Sequence, residues 1–192
     1  VAKRSNTATK TNTPLIEAPQ SITVIGRQQL DAQNAQTLTQ ATQYVAGAYG
    51  GVFGADSRID YLTLRGFVVS DFGIYRDGLQ QLNYGFGYFK TNTFGLERIE
   101  VLRGPAAVLF GAGSPGGIVN QVTKRPTLDP FGYAEVGGGS FGQKYAAFDF
   151  GGPADQEGHW FYRLTGYGRH GGTQVDGAPD DSFYIAPAVT YK

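Results

Sequence analysis

The stretch Glu97-Arg-Ile-Glu-Val-Leu-Arg-Gly-Pro-Ala-Ala-Val-Leu-Phe-Gly-Ala-Gly-Ser-Pro-Gly-Gly-Ile-Val-Asn-Gln-Val-Thr-Lys-Arg-Pro126 carries three patterns in succession. Glu97 to Leu102 alternates charged with apolar residues, as a half-buried strand does. Gly104 to Phe110 reads as one or two helical turns, with Pro105 at the first position and Gly111 and Gly113 at the end. Ile118 to Lys124 returns to strand, and Pro126 ends it. The loop Gly111-Ala-Gly-Ser-Pro-Gly-Gly117 invites comparison with a phosphate-cradling loop. A P-loop, however, places Lys and Ser/Thr directly after its last glycine at the mouth of a helix, and here Ile118-Val119 follow. These glycines instead let the backbone pass close to neighbouring chain in a crowded space.

Upstream, helix and strand signals mix. Ser21-Ile-Thr-Val-Ile25 alternates like a short strand closed by Gly26. Gln28 to Val45 sets Leu30, Leu38, Ala41 and Val45 at near-helical spacing and stops at Gly47, which predicts one or two short helices. Ile59 to Phe67 is strand-like. Ile74 to Leu79 carries Asp77-Gly78, the pair that supplies the positive φ angles of a tight hairpin. Residues 1–20 are rich in Thr, Lys, Asn, Ala and Pro, have no apolar period, and read as a flexible leader.

Downstream of about residue 130 the helix signals vanish. In His159 to Arg169, Trp160, Tyr162 and Leu164 alternate with Phe161, Arg163 and Thr165. In Phe183 to Lys192, Phe183, Ile185, Pro187, Val189 and Tyr191 alternate with smaller or polar residues. Phe131 to Gly138 and Lys144 to Gly151 are two further strands. Segments of about 9 to 11 residues with aromatics near their ends fit transmembrane barrel strands, and on pattern alone they fit a soluble β-sandwich equally well.

Composition narrows the function. Lys+Arg and Asp+Glu number 16 each, which lacks the basic excess that phosphate neutralisation requires, so nucleic acid is not expected as a partner. The chain has no Cys and two isolated histidines, His159 and His170, so neither a disulfide framework nor a thiolate or His-rich metal centre is expected. No apolar run reaches the roughly 20 residues of a membrane-spanning helix. Asp56, Asp60 and Asp71 fall in Gly-rich connections and Asp77 in its turn, which makes them surface or turn residues rather than an acid–base pair. Asp176, Asp180 and Asp181 lack the alternating ligand spacing of a calcium loop and read as a solvated loop.

The stretch from Glu97 to Pro126 closely resembles the plug domain of TonB-dependent outer-membrane receptors. Three further motifs agree in order. Thr9-Lys-Thr-Asn-Thr-Pro-Leu-Ile-Glu-Ala-Pro-Gln-Ser-Ile-Thr-Val24 is similar to the family's plug entrance. Leu64-Arg-Gly-Phe67 is similar to its Arg-Gly-Phe strand. Tyr162-Arg-Leu-Thr-Gly166 and Ile185-Ala-Pro-Ala188 resemble the first barrel strands of hydroxamate-type, ferrichrome-like receptors. The resemblance implies an α+β plug, a mixed sheet with short helices, over residues 21–126, followed over 130–192 by about four antiparallel strands of a transmembrane β-barrel.

By that resemblance the protein binds ferric siderophore, of hydroxamate type, and carries it across the bacterial outer membrane. Its partners are then outer-membrane lipid and TonB with its inner-membrane energising complex, and iron enters only as cargo. TonB would pull on an N-terminal segment added as a strand to its own sheet. Val1-Ala2 would fall at the end of that segment, and no coupling box is found in residues 1–192. Closing a barrel of roughly 22 strands at about 16 residues per strand needs about 290 more residues. Catecholate, haem and cobalamin receptors share the plug and stand as alternatives. A β-rich carbohydrate-binding protein or hydrolase would need a signature the chain lacks.

Site residues also follow from the resemblance. Arg65 and Arg103 match plug arginines that pair with barrel glutamates, a role suited to a planar, permanently charged fork. The family's ligand-touching plug apices fall at Phe53, at Asp71-Phe72, and at Phe86 flanked by Tyr84 and Tyr88. An aromatic apex of Phe53, Phe72, Tyr84, Phe86 and Tyr88, beside Asp71, would suit a ligand with an apolar linker around a polar iron centre. The same aromatics would equally suit packing beneath the loops.

Overall fold

Thr37-Leu-Thr-Gln40 is a capping box: the Thr37 hydroxyl accepts from the Gln40 amide at 3.2 Å, and the Gln40 side chain accepts from the Thr37 amide at 3.2 Å. It starts helix α2 (Leu38–Thr42), which follows α1 (Arg27–Ala32). The computed structural model describes residues 4–5, 7, 13–17, 20–54, 59–83, 87–104, 110–111 and 113–192. The chain divides into two compact units, Val1–Thr123 and Lys124–Lys192.

The first unit opens with a small pair, β1 (Arg4–Ser5) and β2 (Thr13–Pro14). Its main sheet joins β3 (Ser21–Gly26), β7 (Ile74–Arg76), β8 (Leu79–Gln80), β9 (Leu96–Arg103) and β10 (Gly117–Thr123) in the order β3-β9-β10-β7-β8. The sheet is mixed, because β10 runs parallel to β7 and every other pairing is antiparallel. A second, three-stranded sheet joins β4 (Ala48–Tyr49), β5 (Thr63–Leu64) and β6 (Phe67–Val68).

Leu30, Leu38, Ala41 and Val45, spaced for a helix in the sequence, are all buried and join Ile25, Leu62, Leu64, Ile99, Val101 and Val119 in one core. Each large aliphatic side chain so enclosed contributes about 1.5–3 kcal/mol. Tyr75, Leu102 and Ile118 form a second cluster, on the face of β9 and β10 opposite Val101 and Val119.

Four expectations change here. Glu97 to Leu102 is not half-buried: β9 is flanked on both sides, and Ile99, Glu100, Val101 and Leu102 are all enclosed, Glu100 with an ion pair from Arg98 at 2.5 Å. Ile59 to Phe67 is not one strand, because Arg65 and Gly66 both take positive φ (52° and 84°) and turn the chain between β5 and β6. Asp60 is buried rather than at the surface. Asp180 is also buried, paired with Arg169 at 2.7 Å. Asp77-Gly78 does form the expected tight turn, with φ of 50° and 84°. The helical reading of Gly104 to Phe110 falls mainly on residues outside the described set.

The crowded-space reading of the glycine loop has a direct counterpart. A Cβ on Gly116 would stand 2.2 Å from the Leu64 carbonyl oxygen, and one on Gly117 would stand 2.0 Å from that of Leu102. No side chain fits at either place.

The second unit is an antiparallel meander of β11 (Phe131–Gly138), β12 (Lys144–Pro153), β13 (Trp160–His170) and β14 (Ser182–Tyr191). Register sets Tyr162 opposite Val189 and Gly166 opposite Ile185. One face therefore exposes Trp160, Tyr162, Phe183, Ile185, Val189 and Tyr191. The other face buries Asp149, Arg163, Thr165 and Arg169. Arg163 binds Asp149 through two nitrogens at 2.8 and 2.7 Å, while Lys124 and Thr165 complete that carboxylate's shell at 2.7 and 3.0 Å. Apolar outside and satisfied polar inside is the alternation of a barrel strand in lipid. Among the described residues no helix is long and apolar enough to cross a membrane.

Candidate functional site

Short elements of the first unit bring distant aromatics together. Phe53 lies in the turn after β4, Tyr61 just before β5, and Tyr88 ahead of β9. The Phe53 and Tyr61 rings meet edge to face with centroids 5.0 Å apart, and Tyr61 and Tyr88 do the same at 5.7 Å. Such pairs add about 0.5–1.5 kcal/mol beyond burial. At the end of the row the Tyr88 hydroxyl donates to Asp71 Oδ1 at 2.9 Å. Burial, and then the Asp71 carboxylate, push the Tyr88 phenol up to about 12, so it keeps its proton.

Asp71 and Phe72 ride on a turn closed by the Gly73 amide, which donates to the Val69 carbonyl at 2.6 Å. Phe72 is exposed, and Gln80 binds its carbonyl at 2.7 Å. The described residues thus join Phe53 to Tyr88 through Tyr61 and Tyr88 to Asp71, and leave Phe72 outside the ring row. Tyr84 and Phe86 lie outside the described residues.

Beneath this surface sits a buried polar layer. Ser70 Oγ accepts the Leu62 amide at 2.6 Å and donates to the Asp60 carbonyl at 3.2 Å. The Asn83 amide nitrogen binds the Ser70 carbonyl, and the Phe89 amide binds Asn83 Oδ1 at 3.1 Å. Asp60 Oδ2 accepts the Thr91 amide at 2.6 Å. Burial raises the Asp60 carboxyl above its ordinary range, opposed by the amides of Thr91 and Thr39 and by the charge of Lys90. Asp60 thereby ties the start of α2 to the chain leaving Tyr88.

The two motif arginines converge elsewhere on the unit. Arg103 donates Nη2 to Thr23 Oγ1 at 2.8 Å and Nη1 to the Ala46 carbonyl at 3.1 Å, while its Nε is buried without a partner among the described residues. The Arg65 amide binds the neighbouring Gly47 carbonyl at 2.7 Å. Arg65 Nη1 reaches to 3.3 Å from where a Cβ on Gly104 would stand. Among the described residues neither guanidinium meets a carboxylate.

Among the described residues one trio, the half-buried Asp155 with the exposed Glu157 and His159, holds its ligand atoms within 4.8 Å of one another. Asp155 already accepts the Trp160 amide at 3.0 Å and the His159 amide at 3.1 Å, which hold the Asp155 carboxyl below its usual range and close the turn between β12 and β13. The trio is explained by its turn.

Residues 14–118, more than half of the chain, match the family described as the TonB-dependent receptor plug domain. The chain belongs to the TonB-dependent receptor plug family. It is 38% identical over 188 residues to the ferrioxamine B receptor of Salmonella typhimurium, covering 96% of this chain and 27% of that protein. It is 35% identical over 193 residues to the ferrichrome outer membrane transporter/phage receptor of Escherichia coli, covering 100% of this chain and 26% of that protein. Among solved structures, the pyoverdine outer membrane receptor FpvA from Pseudomonas aeruginosa superposes with a TM-score of 0.88 at 25% identity, over 98% of this chain and 28% of that one. The chain therefore spans about a quarter of the length of the relatives it matches.

Within this plug family the fold is the expected one, a mixed-sheet plug with few helices followed by antiparallel strands. Sequence reasoning missed Tyr61, the middle ring of this row. Its signal was present but faint: Tyr61 alternates with Leu62 and Leu64, both fully buried, and so points away from the core.

Proposed function

We propose that this chain is the plug, with the first barrel strands, of a bacterial outer-membrane receptor that takes up ferric siderophores of hydroxamate type. The observation that carries the reading is the identity to ferrioxamine and ferrichrome receptors across essentially the whole chain. The role is transport rather than catalysis. A wide barrel needs a folded plug to occlude its lumen, and TonB supplies the force that opens it.

In this reading residues 1–20 are the leader, 21–126 the plug, and 130–192 the first about four strands of the barrel, whose aromatic and aliphatic face meets outer-membrane lipid. Phe53, Asp71, Phe72, Tyr84, Phe86 and Tyr88 touch the ligand. The row of Phe53, Tyr61 and Tyr88 supports this, because Phe53 stays exposed at its end. Arg65 and Arg103 pair with glutamates of later barrel strands, and the buried unpartnered Nε of Arg103 supports a further acceptor there.

The test is iron uptake by the complete receptor in a strain stripped of its own siderophore receptors, with and without TonB. TonB-dependent uptake of iron from ferric hydroxamates is the expected result. Uptake from catecholates, haem or cobalamin in place of hydroxamates would overturn the ligand class.

A further inference from the structure

We propose that Asp71 receives a positively charged group of the bound chelate, so that the plug apex prefers amine-bearing ferric hydroxamates to neutral or anionic chelates. This rests on the reading of the apex as the ligand surface.

Asp71 is not spent on local structure. Asp60, Asp77 and Asp155 each accept a backbone amide, from Thr91, Thr123 and His159 respectively. Among the described residues Asp71 accepts none, and its own turn is closed without it by the Gly73 amide on the Val69 carbonyl. Among the described residues its partner is the Tyr88 hydroxyl on Oδ1, and none of them binds Oδ2.

The surroundings suit a cation. Tyr88 keeps its proton throughout the physiological range, so its hydroxyl always donates and fixes the carboxylate's orientation. Tyr88 continues into Tyr61 and Phe53, whose rings stand edge to face. Such rings present electron-rich faces that attract ammonium groups within about 6 Å. A half-buried carboxylate beside them adds a charge-assisted hydrogen bond to the same group. The identical carboxylate repels a ferric tris-catecholate, which carries three negative charges, whereas a ferric tris-hydroxamate is neutral at its metal.

The experiment titrates the complete receptor with a linear ferric trihydroxamate bearing a free terminal amine, with its N-acetylated form, and with a ferric tris-catecholate. The amine form is expected to bind about 10-fold more tightly than the acetylated form at physiological salt. Asp71→Asn should erase that preference, so that the variant binds the amine and acetylated forms with equal affinity, and an unchanged melting temperature shows that it is folded. It should also improve catecholate binding.

Equal affinity of the native receptor for both hydroxamates would overturn the proposal, as would an Asp71→Asn receptor that keeps the preference. Binding of neither hydroxamate would overturn the uptake reading, and this proposal with it.

Discussion

Arg103 and Thr23 are joined by a hydrogen bond of 2.8 Å across 80 positions of chain, and the same guanidinium holds the carbonyl of Ala46 at 3.1 Å. One planar fork thus pins β3 and the Ala46-Gly47 corner to the end of β9. Lys has no second donor in fixed geometry and cannot replace it.

Arg103→Lys should lose both contacts, at about 0.5–1.5 kcal/mol each. If a barrel glutamate also uses the buried Nε, Arg103→Ala strands that carboxylate and costs more, on the order of 3 kcal/mol. Amide exchange in the complete receptor reads this as faster exchange in residues 21–26 and 46–48. Native exchange in both segments for both variants would show that the fork carries no load.

Gly116→Ala and Gly117→Ala should be among the most damaging single-methyl additions. Each Cβ would fall on a backbone carbonyl oxygen, and Gly117 also has φ of 129°. Overpacking against immovable backbone costs about 1–3 kcal/mol or more. Gly78→Ala is the control, since it has φ of 84° but open space and should cost only the left-handed penalty of about 1–2 kcal/mol. Protease resistance of the plug in the purified receptor should fall for the first two and remain close to native for the third.

Asp60 should make stability depend on pH in an unusual direction for an aspartate. Its folded pKa is raised above the ordinary 3.8 because burial disfavours the charged form. The folded state therefore holds the proton more tightly, and the Asp60 contribution is fully present below the unfolded value and lost as pH rises through the folded one. Asp60→Asn cannot ionise and should flatten that decline, so the melting temperature of native receptor minus that of the variant should fall between pH 4 and neutrality. Asp60→Ala instead leaves the buried Thr91 amide unpaired, at about 1–3 kcal/mol at any pH. A native profile parallel to that of Asp60→Asn would show the carboxyl to be unperturbed.

Binding and packing should separate between two sets of plug residues. Leu38 is buried in the core, and Leu38→Ala should destabilise by about 2–5 kcal/mol with ligand affinity of the folded fraction unchanged. Phe53→Ala with Tyr88→Ala should do the opposite, weakening ferric hydroxamate about 5-fold to 150-fold for little change in melting. An early-melting aromatic variant that binds normally would assign those rings to packing.

Much of the fold was legible because local pattern and tertiary environment agree. The four strands of residues 131–191 lie where period-2 alternation put them, since a sheet with one apolar and one polar face needs that period. Helix spacing marked Leu30, Leu38 and Ala41, and Asp77-Gly78 marked its turn. Asp60 and Asp180 misled because an aspartate in a Gly-rich stretch gives no local sign of the partner that buries it. For Asp60 that partner is an amide 31 positions away, and for Asp180 it is an arginine 11 positions away.

The sequence by itself determined the family, the order of plug and strands, and the alternation of the barrel faces, because motif spacing and periodicity are properties of neighbours along the chain. Only the tertiary structure decided that Tyr61 bridges Phe53 to Tyr88, that the Tyr88 hydroxyl binds Asp71 Oδ1, and that Arg65 and Arg103 meet at one corner. Those contacts join residues from 8 to 57 positions apart, brought together by the packing of separate short elements. Each is fixed by how those elements meet in space, which no local pattern encodes.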